Sequence, residues 1–322
     1  MTTSPARRTD SPFARAFRAG LDGTPRRLPS KFFYDEAGDA LFQQIMAMPE
    51  YYLTDCEREI FSRHAPAILS ALDWDRPFDL IELGAGDGTK TQFLIEHFRA
   101  AGREFRYRPI DISGNALRGL SERVLARWHD LDLAPIEGDY FDALTQATDD
   151  KRPKLVLFPG ANIGNFSPQQ AEKFLARLGT HLRPGDKLLI GFDLKKDPAT
   201  ILAAYNDPAG ITAAFNLNLL RRANRELGTD FQLDHWQHWE TYGPVTGQAR
   251  SYLVSRSAQT VSSSLLGGSW EFTAWEAIHV EVSQKYAPHE IAELAAAGGF
   301  RPVADFRDAR AYFVDALWVW KE

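Results

Sequence analysis

The chain has 322 residues, of which 44% are hydrophobic and 25% charged, with a formal net charge of -6. That length supports a full hydrophobic core, and the acidic balance argues against a nucleic-acid surface. The single cysteine, Cys56, excludes an internal disulfide and fits a reducing compartment. With no apolar run near the ~20 residues of a membrane span, the expectation is a cytoplasmic monomer with no membrane or nucleic-acid partner.

In chain order, the N-terminal MTTSPARRTDSPFARAFRAG is Arg-rich but lacks the apolar core of a secretory signal, so it reads as a solvated arm leading into a structural helix. A Pro- and Arg-rich linker follows from Thr24 to Ser30. Apolar spacing at Leu41, Phe42, Ile45 and Met46 predicts an amphipathic helix ended by Pro49. Tyr51 and Tyr52 sit at that break, where a tyrosine can either pack or line a pocket with a flat face and a hydroxyl. Thr54 with Glu57 three residues later reads as an N-cap and capping box for the next helix.

The stretch FDLIELGAGDGTKTQFLIEHF, Phe78 to Phe98, reads as a buried strand, a tight glycine turn and a helix. Ligands of open α/β sheets bind beyond the carboxyl ends of the strands. A dinucleotide fingerprint requires GxGxxG and a loop that tolerates pyrophosphate. Here Gly84, Gly86 and Gly88 give GxGxG, with Asp87 inside the loop. Glu82 and Asp87 therefore favour S-adenosylmethionine, a sulfonium cation without phosphate, and Lys90 can meet its methionine carboxylate.

A second strand, Phe105 to Ile112, carries Asp111 near its end, where a carboxylate can accept both ribose hydroxyls. Ser113 caps the following helix. A third segment ends in Gly138-Asp139-Tyr140, an acid and an aromatic able to bind adenine. The fourth strand, Lys154 to Phe158, runs into a Gly/Asn loop that ends in Asn165 and Phe166 and can position a substrate. Ser167 and Gln170 form a second capping box, and Lys187 to Asp193 makes a fifth strand. Alternation at these lengths predicts an α/β fold with a parallel, doubly wound sheet.

After Asp193 the rhythm changes. Helical segments at Ala199 to Tyr205 and Ile211 to Leu227 precede a strand-like stretch from Phe231 to Tyr286. This mixed block reads as a substrate-binding insertion, in which His279, Glu281 and Ser283 share one strand face and Val280 and Val282 the other. That face is either an ordinary wet one or a reader of a small substrate's polar edge. A helix from Pro288 and a strand hairpin, Phe300 to Phe306 with Tyr312 to Trp320, complete the core. The expected division is 1–57 as part of the substrate domain, 58–195 as a Rossmann-like core, 196–285 as the insertion and 286–322 as the closing helix and hairpin.

FFYD at Phe32 to Asp35, MPEYY at Met48 to Tyr52, ELGAGDGTKT at Glu82 to Thr91, GANIGNF, AAYNDPAGITAAFN and EVSQKY occur in this order. Together they resemble the histidine-specific S-adenosylmethionine-dependent methyltransferases. Members of that family make hercynine from histidine in ergothioneine biosynthesis. The resemblance implies cofactor contacts at Gly84, Lys90, Asp111, Asp139 and Tyr140. It implies histidine contacts at Tyr51, Asn165, Tyr205, Glu281 and Ser283: Glu281 and Ser283 at the imidazole, Asn165 and Tyr205 at the carboxylate. At the position of Ser251, mycobacterial members carry a methionine beside the substrate ring.

The activity implied is repeated methyl transfer to the α-nitrogen of histidine, with no metal and no residue assigned as acid or base. Alternatives are another aromatic amino acid, such as tryptophan or a derivative, as acceptor, or a cofactor-binding scaffold without turnover.

Overall fold

The computed structural model describes residues 10–147 and 151–321; the N-terminal arm, residues 1–9, lies outside them. In chain order the longer elements are α1 (Pro12–Asp22), α2 (Glu36–Met46), α3 (Tyr52–Leu72), β1 (Phe78–Leu83), α4 (Gln92–Ala100), β2 (Phe105–Asp111), α5 (Gly114–Arg127), β3 (Asp132–Leu133), β4 (Ile136–Glu137) and α6 (Tyr140–Ala147). They continue with β5 (Lys154–Phe158), α7 (Pro168–Gly179), β6 (Lys187–Asp193), α8 (Pro198–Tyr205), α9 (Ile211–Leu227), β7 (Trp236–Gly243), β8 (Gln248–Ser255), β9 (Gln259–Ser263) and β10 (Gly268–Phe272). The last are β11 (Ala277–Gln284), α10 (Pro288–Ala297), β12 (Phe300–Arg307) and β13 (Phe313–Trp320). No described helix is long and apolar enough to cross a membrane.

The chain divides into two compact units, Met1–Tyr52 with Lys196–Ser283, and Leu53–Lys195 with Gln284–Glu322. The second unit holds the main sheet, in the order β12-β13-β6-β5-β1-β2-β3, with β4 also paired to β2. Strands β3, β4, β2, β1, β5 and β6 run parallel. β13 lies antiparallel to β6, and β12 antiparallel to β13, so a hairpin closes that edge. All residues of β1, β5 and β6 are buried, as expected of parallel strands covered on both faces. Ile81, Val156, Leu188, Ile190 and Trp318 anchor its core.

Local chemistry explains several element starts. Ser113 Oγ accepts the Ala116 N–H and starts α5. Ser167 and Gln170 satisfy each other's orphan N–H groups at the start of α7. The Thr54–Glu57 reading fails: α3 already begins at Tyr52 and Thr54 lies inside it. Glu57 is instead a fully buried helix residue, 0% exposed.

The first unit is built on a three-stranded sheet, β11-β8-β7, beside a β9–β10 hairpin. α8 and α9 pack against β7 and β8, and α2 against α9. Its core joins Phe17, Phe33, Phe215, Leu219, Trp236, Leu253, Ile278 and Val280. Asp35 caps α2 by accepting the Gly38 N–H, and also accepts from Asn218 of α9, tying the two helices together.

Candidate active site

In the sheet unit, the glycine loop leaves the carboxyl end of β1. The N–H groups of Gly84 and Ala85 both donate to Ile110 O, at 2.8 and 3.1 Å, which bends the loop towards β2. Gly84 has φ +71 and Gly88 φ +65, conformations that L side chains rarely adopt. A Cβ at Gly84 would come within 3.0 Å of the Tyr140 hydroxyl, and one at Gly88 within 2.8 Å of Leu120.

Asp111 organises this loop. Oδ2 accepts the Gly86 N–H at 2.9 Å and Oδ1 the Ser113 N–H at 2.8 Å. A carboxylate offers about four lone-pair sites, so capacity remains for two hydroxyls of a ribose. Tyr140 opens α6, with its ring edge-on to Phe158 and Phe174 and its hydroxyl beside Gly84. Burial, then the charges of Asp111 and Asp139, push its phenol above the usual range, so it stays protonated. Asp139 is exposed and accepts the Phe141 N–H, which caps the start of α6. The geometry brings Gly84, Asp111 and Tyr140 together at the loop, while Asp139 has a capping role of its own.

Of the two acidic residues that pointed to a sulfonium from sequence, Glu82 faces inward and Asp87 is half-buried in the loop. Glu82 is 2% exposed and accepts from Thr91 Oγ1 at 2.6 Å and from the Tyr107 hydroxyl. Burial raises its pKa to about 7 against the hydrogen bonds from Thr91 and Tyr107. Asp87 accepts from the N–H and hydroxyl of Thr89, an Asx-type turn. These two carboxylates hold the loop's shape.

Lys90 is not a free cation either. It forms a salt bridge with Glu57, whose other oxygen accepts the Gly160 N–H at 2.7 Å. Burial works against the Lys90 charge, but the charge and hydrogen bond of Glu57 outweigh it and raise its pKa. An ammonium has three donors, so the Glu57 bond leaves Lys90 able to meet a second carboxylate. Asp315 of β13 is also fully buried, and burial followed by the Glu57 charge pushes its pKa well up. Sequence reading missed Glu57 and Asp315. A charge on the same helical stripe as Ile60 and Phe61, both 0% exposed, was the available signal for Glu57. Asn165 closes a short 3-10 turn after β5 and is exposed.

The other unit carries the remaining residues. The Tyr205 hydroxyl lies 2.9 Å from Ser283 Oγ in a buried hydrogen bond. The Tyr51 ring stands edge-on to Tyr205, with centroids 6.1 Å apart. Glu281 is half-buried on β11, two residues before Ser283. His279 leaves this group, its ring against Tyr252 at 5.3 Å. Tyr51, Tyr205 and Ser283 thus form one connected polar-aromatic group, a phenol pair joined to a hydroxyl. Such a group can orient a small polar molecule through donors and acceptors set in an apolar surround. Among the described residues no His, Cys, Asp and Glu grouping suits a metal ion.

The family model for histidine-specific, S-adenosylmethionine-dependent methyltransferases matches residues 13–320. The histidine N-alpha-methyltransferase of Mycolicibacterium smegmatis is 39% identical over 285 residues, 88% of each chain. That of Mycobacterium tuberculosis is 38% identical, covering 87% of this chain and 86% of its own. Ergothioneine biosynthesis protein 1 of Neurospora crassa is 32% identical across 91% of this chain, which spans 33% of that longer protein. With the family model covering nearly its whole length, the chain belongs to the histidine-specific, S-adenosylmethionine-dependent methyltransferase family.

Proposed function

We propose that this enzyme transfers methyl groups from S-adenosylmethionine to the α-nitrogen of free L-histidine, repeating the step until the trimethylated betaine hercynine forms. Its place would then be ergothioneine biosynthesis. The observation that supports this most is the 39% identity to a histidine N-alpha-methyltransferase across 88% of both chains.

The roles follow from the chemistry of each group. Asp111 accepts the ribose hydroxyls, Gly84 lets the cofactor approach the backbone, Tyr140 and Asp139 meet the adenine, and Lys90 meets the methionine carboxylate. On the acceptor side Tyr51, Tyr205, Glu281 and Ser283, with Asn165, hold histidine by its carboxylate and ring. S-adenosylmethionine supplies the electrophilic methyl group when bound. The acceptor must offer a neutral amine lone pair, so its α-ammonium gives up a proton to solvent before each transfer. Alignment can then supply much of the acceleration, and no dedicated base is assigned.

Comparing histidine with histamine tests the carboxylate anchor. Histamine keeps ring and amine but lacks the carboxylate, so it is methylated very poorly. Asn165→Ala and Tyr205→Phe each narrow that difference by slowing histidine turnover. Equal turnover of the two amines by wild type refutes the assignment.

A further inference from the structure

Across β7 and β8, Glu240 stands directly opposite Ser251. Ser251 Oγ donates to Glu240 Oε2 at 2.6 Å. His238 lies on the same strand face, its Nε2 3.7 Å from that oxygen, outside hydrogen-bond range. The side chains of His238 and Glu240 are each 1% exposed, and Ser251 is 1% exposed.

The trio is incompletely satisfied. Glu240 Oε1 and His238 Nε2 have no hydrogen-bond partner, although both atoms are buried. On α9, which packs along β7, the Oδ1 of fully buried Asn216 is also unpartnered. Buried polar atoms are nearly always paired, and a carboxylate shielded from water with a single hydroxyl donor is a costly arrangement. Two of the three unmet atoms, Glu240 Oε1 and Asn216 Oδ1, are acceptors only. The complement they call for is a donor.

These residues belong to the layer that carries the acceptor group. β8 lies between β7 and β11. The helix that ends in Tyr205 packs on β7 and β8, and Tyr205 bonds to Ser283 of β11.

We propose that Glu240, set by Ser251 and flanked by His238, is a specificity-determining residue that accepts a hydrogen bond from an N–H or cationic group on the acceptor's side chain. The substrate class is therefore an amino acid whose side chain bears such a donor, of which the imidazole of histidine is one. This deepens the reading above and rests on its assumption of a free amino-acid acceptor.

The experiment measures kcat/KM for histidine, tryptophan, arginine, phenylalanine and β-(2-thienyl)alanine with wild type, Glu240→Gln and Ser251→Ala. Thienylalanine keeps a five-membered aromatic ring but has no ring N–H. Wild type should prefer a donor-bearing side chain. Glu240→Gln should lower kcat/KM for that acceptor at least tenfold, leave thienylalanine turnover within about twofold, and leave cofactor affinity unchanged; Ser251→Ala should show the same pattern more weakly. Thermal shifts guard against a folding defect: cofactor alone should stabilise wild type and Glu240→Gln alike, while the added shift from the preferred acceptor should vanish in the variant. A preferred acceptor without a side-chain donor overturns the proposal. So does a Glu240→Gln loss equal for all acceptors, or no loss at all, as expected where the orphan atoms hold only water. If tryptophan or arginine outruns histidine, the histidine reading fails, and Glu240 is judged on that acceptor by the same variant.

Discussion

At the scale of single residues, the cofactor loop depends on carboxylates with different duties. Asp111 holds the Gly86 and Ser113 N–H groups with one oxygen each. Asp111→Ala should weaken S-adenosylmethionine binding by ~1.5–3 kcal/mol, the range for hydrogen bonds to a charged group, as read by calorimetry. An unchanged dissociation constant would remove Asp111 from the cofactor site. Glu82 has its pKa raised to about 7, first by burial. Its folded form therefore keeps a proton that the unfolded chain releases near its ordinary value, and stability is lost as pH rises from about 4.5 through about 7. Between pH 5 and pH 8 this contribution amounts to roughly 2 kcal/mol. The stability difference between wild type and Glu82→Gln, from urea unfolding, should shift towards the variant by that amount over this range. A difference that does not change with pH would mean that Glu82 is not held protonated.

At the scale of elements, the tight passage is the turn from β1 into α4. Gly88→Ala must adopt φ +65 and push its Cβ to 2.8 Å from Leu120. Left-handed strain of about 1–2 kcal/mol adds to overpacking of about 1–3 kcal/mol. Denaturant melts of this variant should show a loss of roughly 2–5 kcal/mol; a loss within about 0.5 kcal/mol of zero would show that the loop relaxes freely. Much of this element was legible in advance, because strand, glycine turn and caps are local signals. The buried run Phe78–Leu83, the Ser113 cap and the Ser167–Gln170 box appear where the sequence places them. Thr54–Glu57 misled because a capping pattern also arises inside a helix, and only tertiary contacts show Glu57 turned to Lys90 and Gly160. Glu82 and Asp87 pointed to S-adenosylmethionine, the cofactor of the family to which the chain belongs, although composition does not report which way an acid faces, and Glu82 proves buried in β1. The Glu240–Ser251 pair depends on strand register, which composition and spacing in this stretch do not fix.

At the scale of the whole molecule, the parallel sheet with its antiparallel closing hairpin is the α/β architecture expected from alternating strands and helices. The ordered motifs pointed to the family that the match over residues 13–320 shows. The central claim concerns the acceptor, and one measurement addresses it most directly. Purified enzyme is given S-adenosylmethionine and an equimolar mixture of the common amino acids, and the products are followed over time by mass spectrometry. The account predicts that histidine alone is consumed rapidly, passing through mono- and dimethyl forms to a trimethylated betaine, with three demethylated cofactors released for each. Methylation of another amino acid ahead of histidine, or cofactor turnover that does not depend on histidine, would contradict it.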